Sequence, residues 1–448
     1  TVKSGATLHL DGVNLTSPPN LSLAGSGAGG AGGEGALTGS GDAGYNGAIT
    51  LAGPTTIGVG PLGTGTSADN TLTLGGAIAG AGMAMTKVGT GTLELTKAST
   101  YGGTTIDAGM LTLSGLGTLG LGDATVKSGA TLHLDGVNLT SPFNLSLAGS
   151  GVGGEGALTG SGVASYNGAI TLASPTTIGV GPLGTGTLTL GRAIAGAGSL
   201  TKEGAGTLTL STANTYSGGS TINAGVLSAQ ANNSLGAGGV SIASTGTLQL
   251  GTVTLANPVS LDGGGLRATG VAVLTGNVGQ TEDGTLSSAD SLASLSLQRT
   301  FSGGSHALDI NGPGRFSLAG GASGLASLNL AADSRLDLGS GQSIISSGAQ
   351  TYLGAVTGTR TTLLGTGGAT ITANNPDNDF VGLFSVTGGT TQLSDTNALT
   401  VALTTGETTL HSGASLSVSG SAASLNATSG GALDFGQTTV ERITRVTA

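Results

Sequence analysis

The sequence predicts an all-β chain that winds over itself as a parallel β-helix, a solenoid of roughly 20 rungs. Three observations predict it. Short strings alternate leucine with polar residues along the whole length, as in ATLHL (6–10), TLTL (71–74), TLELT (92–96), TLQL (247–250) and LNL (328–330). Glycine, at 89 positions, punctuates those strings at close intervals. Only 8% of residues are charged and 2% aromatic, where a globular enzyme carries about 25% charged residues and a mixed core.

In a strand, successive side chains point to opposite faces. Leu8 and Leu10 therefore share one face and Thr7 and His9 the other. Leu93 and Leu95 flank Glu94, Leu248 and Leu250 flank Gln249, Leu328 and Leu330 flank Asn329, and Leu336 and Leu338 flank Asp337. One face is expected to be buried and one wet. The connectors, as in GAGSLTKEGAGTLTL, are too short and too poor in helix formers for crossover helices. Hairpins would give a sandwich or barrel, but hundreds of residues of small strands without an aromatic core fit a coil whose narrow interior takes Leu, Val and Ile, with little room for rings. Gly at the corners supplies positive φ without a Cβ penalty. At about 4.8 Å per rung, some 20 rungs would make a rod about 100 Å long.

Internal repetition organises the chain. The segment TVKSGATLHLDGVNLTSPPN (1–20) returns at 125–144 with one residue changed. The match runs on through GGEGALTGSG, YNGAITLA and TTIGVGPLGTGT, and a decayed copy starts near Val240. The expected units are 1–123, 124–239 (a near duplicate) and 240–448 (divergent). The LGLGDA stretch (119–124) has no counterpart before Thr1, so the chain is expected to be a slice of a longer polypeptide.

Thirteen basic and 23 acidic residues give a net charge of −10, which argues against nucleic acid as a partner because phosphate binding needs clustered Lys and Arg. No run of 18 apolar residues provides a membrane-spanning helix, and no signal peptide opens the chain. The absence of Cys suits a long chain exported unfolded through an oxidising compartment.

The segment 196–227, with Lys202, Gly204, Gly206, Thr207, Leu208, Leu210, Asn214, Thr215, Tyr216, Gly218, Thr221, Ile222, Ala224, Gly225 and Leu227, resembles the autotransporter-associated β-strand repeat of passenger domains. A second copy at 80–111 keeps most of these positions, with Ser99 in place of Asn214 and one residue fewer after Tyr101. Segments 347–356, 361–389 and 390–402 resemble repeats of large exoproteins of the filamentous-haemagglutinin type. Both resemblances imply a right-handed β-helix secreted by a type V route to the surface of a Gram-negative bacterium. They imply an outer-membrane translocator as partner, either the chain's own barrel or a separate pore.

No catalytic, cofactor-binding or metal-ligating residue is assigned. His9 and His133 occupy one repeat position on the polar face and are expected to be solvated. His306 is expected at a strand entrance; His411 is the fourth histidine. Asp377 and Asp379, in NNPDNDF, offer oxygen ligands for Ca²⁺, but such a run more often forms an Asx-rich corner that satisfies its own backbone. Glu34 and Glu155 are expected as exposed turn charges, and pairs such as Gly29–Gly30 as turn glycines. The tyrosines fall in repeat pairs, Tyr45 with Tyr166 and Tyr101 with Tyr216, leaving Tyr352; all are expected to pack at corners, the alternative being exposed rings for sugar or protein contact. Dispersed acids and the lack of a G-x-S-x-G elbow or a phosphate loop speak against an enzyme. The expectation is a non-enzymatic adhesin or stalk segment, outside the cell, making many weak contacts with a host, neighbouring cell or matrix. The alternatives are a self-associating matrix, sheath or filament protein, and, more weakly, a β-helical polysaccharide-active enzyme or protease scaffold.

Overall fold

A computed structural model describes residues 1–28, 34–60, 70–140, 143–181 and 186–447. The Gly29–Gly30 pair lies outside the described residues. Parallel strands stack as a β-solenoid of about 20 turns. The chain divides into two compact units, Thr1–Ser228 with Asn233–Gly238, and Ala229–Asn232 with Gly239–Ala448. No helix among the described residues is long and apolar enough to cross a membrane.

In the first unit, register alignment turns the leucine alternation into columns. Leu72, Leu93, Leu111 and Leu132 are successive Cα partners, 18–21 residues apart. Leu74, Leu95, Leu113 and Leu134 form the next column. All eight are at most 1% exposed. Their polar neighbours Thr73, Glu94 and Thr112 face outward yet are only half exposed, because the rungs above and below stand about 4.8 Å away. The duplicated segments fold alike. Leu21–Gly25 pairs with Ile49–Val59, and Leu145–Gly149 with Ile170–Val180, each with a register shift just before the glycine.

The second unit shows three ladders. Val240, Val259 and Val278 run down one. Leu248, Leu266, Leu286, Ile310, Leu330 and Tyr352 run down another. The third is a separate seven-stranded sheet running from Val253–Leu255 to Asp379–Val381. Ala272, Leu295, Phe316, Leu336 and Val356 form its inner column. Beyond it the rungs shorten. Leu399, Leu416 and Leu433 are register partners 17 residues apart, each opening a strand of 14 or 15 residues. The interior does admit rings. Phe301, Phe316, Phe380 and Phe384 are no more than 1% exposed, and Phe380 stacks on Phe384 at 4.2 Å.

Candidate functional site

The most unusual groups in the solenoid are two lysines on its inside. In Met85–Val88, Met85 and Lys87 point inward; in Leu200–Glu203, Leu200 and Lys202 do. Each lysine takes an aliphatic position in its column, between Ile57 and Ile106 or between Ile178 and Ile222. Both are 0% exposed. A buried ammonium needs partners, and here they are backbone carbonyls. Lys87 Nζ donates to Val88 O at 3.2 Å, Gly89 O at 2.6 Å and Ala108 O at 2.9 Å. Lys202 Nζ donates to Glu203 O at 2.8 Å, Gly204 O at 2.6 Å and Ala224 O at 3.1 Å. An ammonium has three N–H bonds, so three acceptors fill it. The third carbonyl comes from the following rung, so each lysine clamps two rungs at a corner. Burial pulls Lys87 down to about 7 and Lys202 to about 8, the latter opposed by the charge of Glu203. The clamp requires Gly109 beneath Lys87. That residue has φ +65°, and a Cβ there would lie 2.4 Å from Gly89 O and 2.6 Å from Lys87 Nζ. Gly225, at φ +66°, holds the equivalent place in the second clamp.

The two related histidines each sit in a cradle of hydroxyls. His133 Nδ1 lies 2.8 Å from Thr159 Oγ1 and its Nε2 3.1 Å from Ser161 Oγ. His9 meets Thr38 and Ser40 at 2.9 and 3.1 Å. The expected solvation of His133 is corrected: it is 6% exposed, and burial depresses its pKa against the pull of Asp135 and Glu155. Strand parity does aim it outward, but Thr159 and Ser161 of the next rung bond both of its ring nitrogens. Ser161, His133 and Asp135 bring together the residue types of a hydrolytic triad, and so do Ser40, His9 and Asp11. The connectivity is different. Ser161 Oγ donates to Asp135 Oδ1 at 2.6 Å, so the serine proton goes to the carboxylate while the imidazole gives its own N–H to the serine oxygen. In a triad the imidazole takes the serine proton and the carboxylate holds the imidazole.

The tyrosines and the 374–380 run make hydrogen bonds within the fold. Tyr101 Oη bonds Thr104 Oγ1 at 2.9 Å and Tyr216 Oη bonds Ser220 Oγ at 2.6 Å. Tyr166 Oη donates to Phe143 O at 2.9 Å, Tyr45 to Pro19 O, and Tyr352 to Gln350 Oε1 at 2.9 Å. All five tyrosines are at most 3% exposed. The 374–380 run is an Asx corner. Asn375 Oδ1 accepts from Asp377 N at 2.8 Å, buried Asn378 bonds Val356 N, Ala373 O and Ser394 O, and Asp379 Oδ1 accepts from Asn397 at 3.3 Å. Glu34 and Glu155 are exposed, as is His411. His306 precedes Ala307–Asn311 with Asp283 at 3.8 Å. No group of three or more His, Cys, Asp or Glu among the described residues is placed to hold a metal.

Comparisons with known proteins place relatives of this chain among secreted passengers. The passenger-associated transport repeat family matches residues 85–113 and 200–229, segments that start two residues before each clamp lysine. Over 166 residues the chain is 37% identical to the adhesin BmaC autotransporter of Brucella suis biovar 1 (strain 1330). That stretch covers 36% of this chain and 4% of the Brucella protein, so the chain spans a small part of that relative's length. No solved structure matches the chain. These findings support a type V secreted passenger of the autotransporter kind.

Proposed function

We propose that this chain is a scaffold segment of a secreted, cell-surface adhesin, displayed by a Gram-negative outer-membrane translocator, and that it performs no chemistry. The similarity to an autotransporter named as an adhesin carries the reading. The paired transport repeats support it. On this reading the duplicated units 1–123 and 124–239 and the divergent 240–448 lengthen the scaffold, the last through its haemagglutinin-like repeats. Successive rungs repeat hydroxyl-rich outer positions, so each contact is weak and their number supplies avidity.

The test is display of this segment within its full-length protein on a non-adherent Gram-negative strain. Adhesion to a cell layer or surface that is lost when residues 1–448 are deleted, at equal surface display, supports the reading. Equal adhesion with and without the segment contradicts it. So does the assembly of ordered fibres from purified protein without any cell binding, the outcome for a structural filament.

A further inference from the structure

The outer side of the seven-stranded sheet in the second unit stacks two arginines. Arg315 and Arg335 are Cα register partners on adjacent rungs and both are exposed. Like charges placed opposite each other on neighbouring strands destabilise a sheet. Among the described residues neither arginine pairs with a carboxylate within 4.0 Å. They form one wall of a groove with a cavity volume of about 530 Å³, within the range of small-molecule sites. Two residues further along the strands a second outward column runs parallel to them: Ser296, Ser317, Asp337 and Thr357, in register. Asp377 closes one side. The floor is sheet backbone, since Leu295, Phe316 and Leu336 turn inward and are 1% exposed.

This pairing of columns selects a ligand chemistry. A guanidinium fork fits a carboxylate through two parallel hydrogen bonds. The facing hydroxyls and aspartates suit hydroxyl groups, which both donate and accept. Asp337 and Asp377 interrupt the positive charge of the groove, whereas nucleic-acid binding rests on clustered Lys and Arg. A sugar chain with one carboxylate per residue meets both columns, because its charges repeat along its length as the rungs do.

We propose that this groove binds a carboxylated polysaccharide, with Arg315 and Arg335 holding its uronate groups and the Ser317–Asp337 column its hydroxyls. The proposal rests on the adhesive reading above and names the ligand class of one of its contact surfaces. Isothermal titration of the 448-residue chain with oligogalacturonate, its neutral methyl ester and dextran sulfate tests it. The acid form should bind, and the methyl ester should bind at least about tenfold more weakly, as should the acid form to an Arg315→Ala/Arg335→Ala variant with an unchanged melting temperature. Arg267→Ala, on another ladder, should bind like the parent. The proposal is overturned if no ligand binds at millimolar concentration, if the ester or the double variant binds as well as its partner, or if dextran sulfate binds as tightly as the uronate. Adhesion of displaying cells separates the two readings. Cells that adhere without uronate binding remove only the groove assignment. Uronate binding by a protein whose cells never adhere upholds the groove and removes the adhesive role.

Discussion

At the residue scale, Lys87 and Lys202 carry the sharpest consequences. A free lysine keeps its proton up to 10.5, whereas burial lowers Lys87 to about 7 and Lys202 to about 8. Between those values the unfolded chain binds more protons than the folded one, so stability rises with pH across that window and is lower below it. The Lys87→Met/Lys202→Met variant lacks this rise. At pH 9 the folded lysines are neutral amines that still donate two N–H bonds each, so losing those donors to buried carbonyls should destabilise the variant by about 1–3 kcal/mol per clamp, and the gap should narrow as pH falls toward 7. Thermal melts of parent and variant across that range check it; parallel pH profiles would contradict the lowering of the lysine pKa values by burial. His133 works in the opposite range. Its folded pKa lies below 6.5, so the unfolded state takes up the extra proton and stability falls as pH drops below about 6.5. His133→Gln keeps hydrogen-bonding capacity and should flatten that acid loss in the same melts. The lysines were legible in one respect only. Lys87 shares parity with Met85, and Lys202 with Leu200, which alone would have placed them inside. Charge argued the other way, and the carbonyls that resolve the conflict belong partly to the next rung. His133 shows the reverse case. Parity gave its direction, but its hydrogen-bond partners Thr159 and Ser161 lie on the next rung, 26 and 28 positions downstream.

At the element scale, the strands follow from periodicity alone. Every leucine of TLTL (71–74), TLELT (92–96), TLQL (247–250) and LNL (328–330) is inside, because a one-residue slip would move a whole leucine set to the outer face. Which rung pairs with which, and the three-ladder layout of the second unit, were not legible, since equivalent strings such as TLTL recur without distinguishing marks. Corners were partly legible. Glycine marks them, but sequence does not tell a glycine needed for space from one needed only for φ. Gly82 and Gly109 separate the two cases. Both have positive φ, +75° and +65°, yet a Cβ on Gly82 meets nothing within 4 Å while one on Gly109 strikes the Lys87 clamp. Gly82→Ala should cost about 1 kcal/mol through backbone strain. Gly109→Ala should cost clearly more and should also change the pH profile set by Lys87. Denaturant titrations of the two variants check this ordering, and equal losses would contradict it.

At the scale of the whole molecule, each rung hydrogen-bonds to the rungs on either side, so stability is distributed as in other stacked repeats. The duplication at 1–20 and 125–144 is tolerated for that reason, and His9 and His133 keep equivalent partners in both copies. All of this depends on parallel, in-register stacking of successive turns. The most direct measurement of that stacking is spin-label distance in the first unit, where Ser165, Thr189 and Thr209 are successive register partners on the outer face. The chain has no native cysteine, so labels can be placed at will. Labels at 189 and 209 should be about one strand spacing apart, roughly 5 Å between backbones, with strong dipolar broadening, and labels at 165 and 209 about twice as far. A 165–209 pair as close as the 189–209 pair, or a 189–209 pair too distant to broaden, would contradict the solenoid.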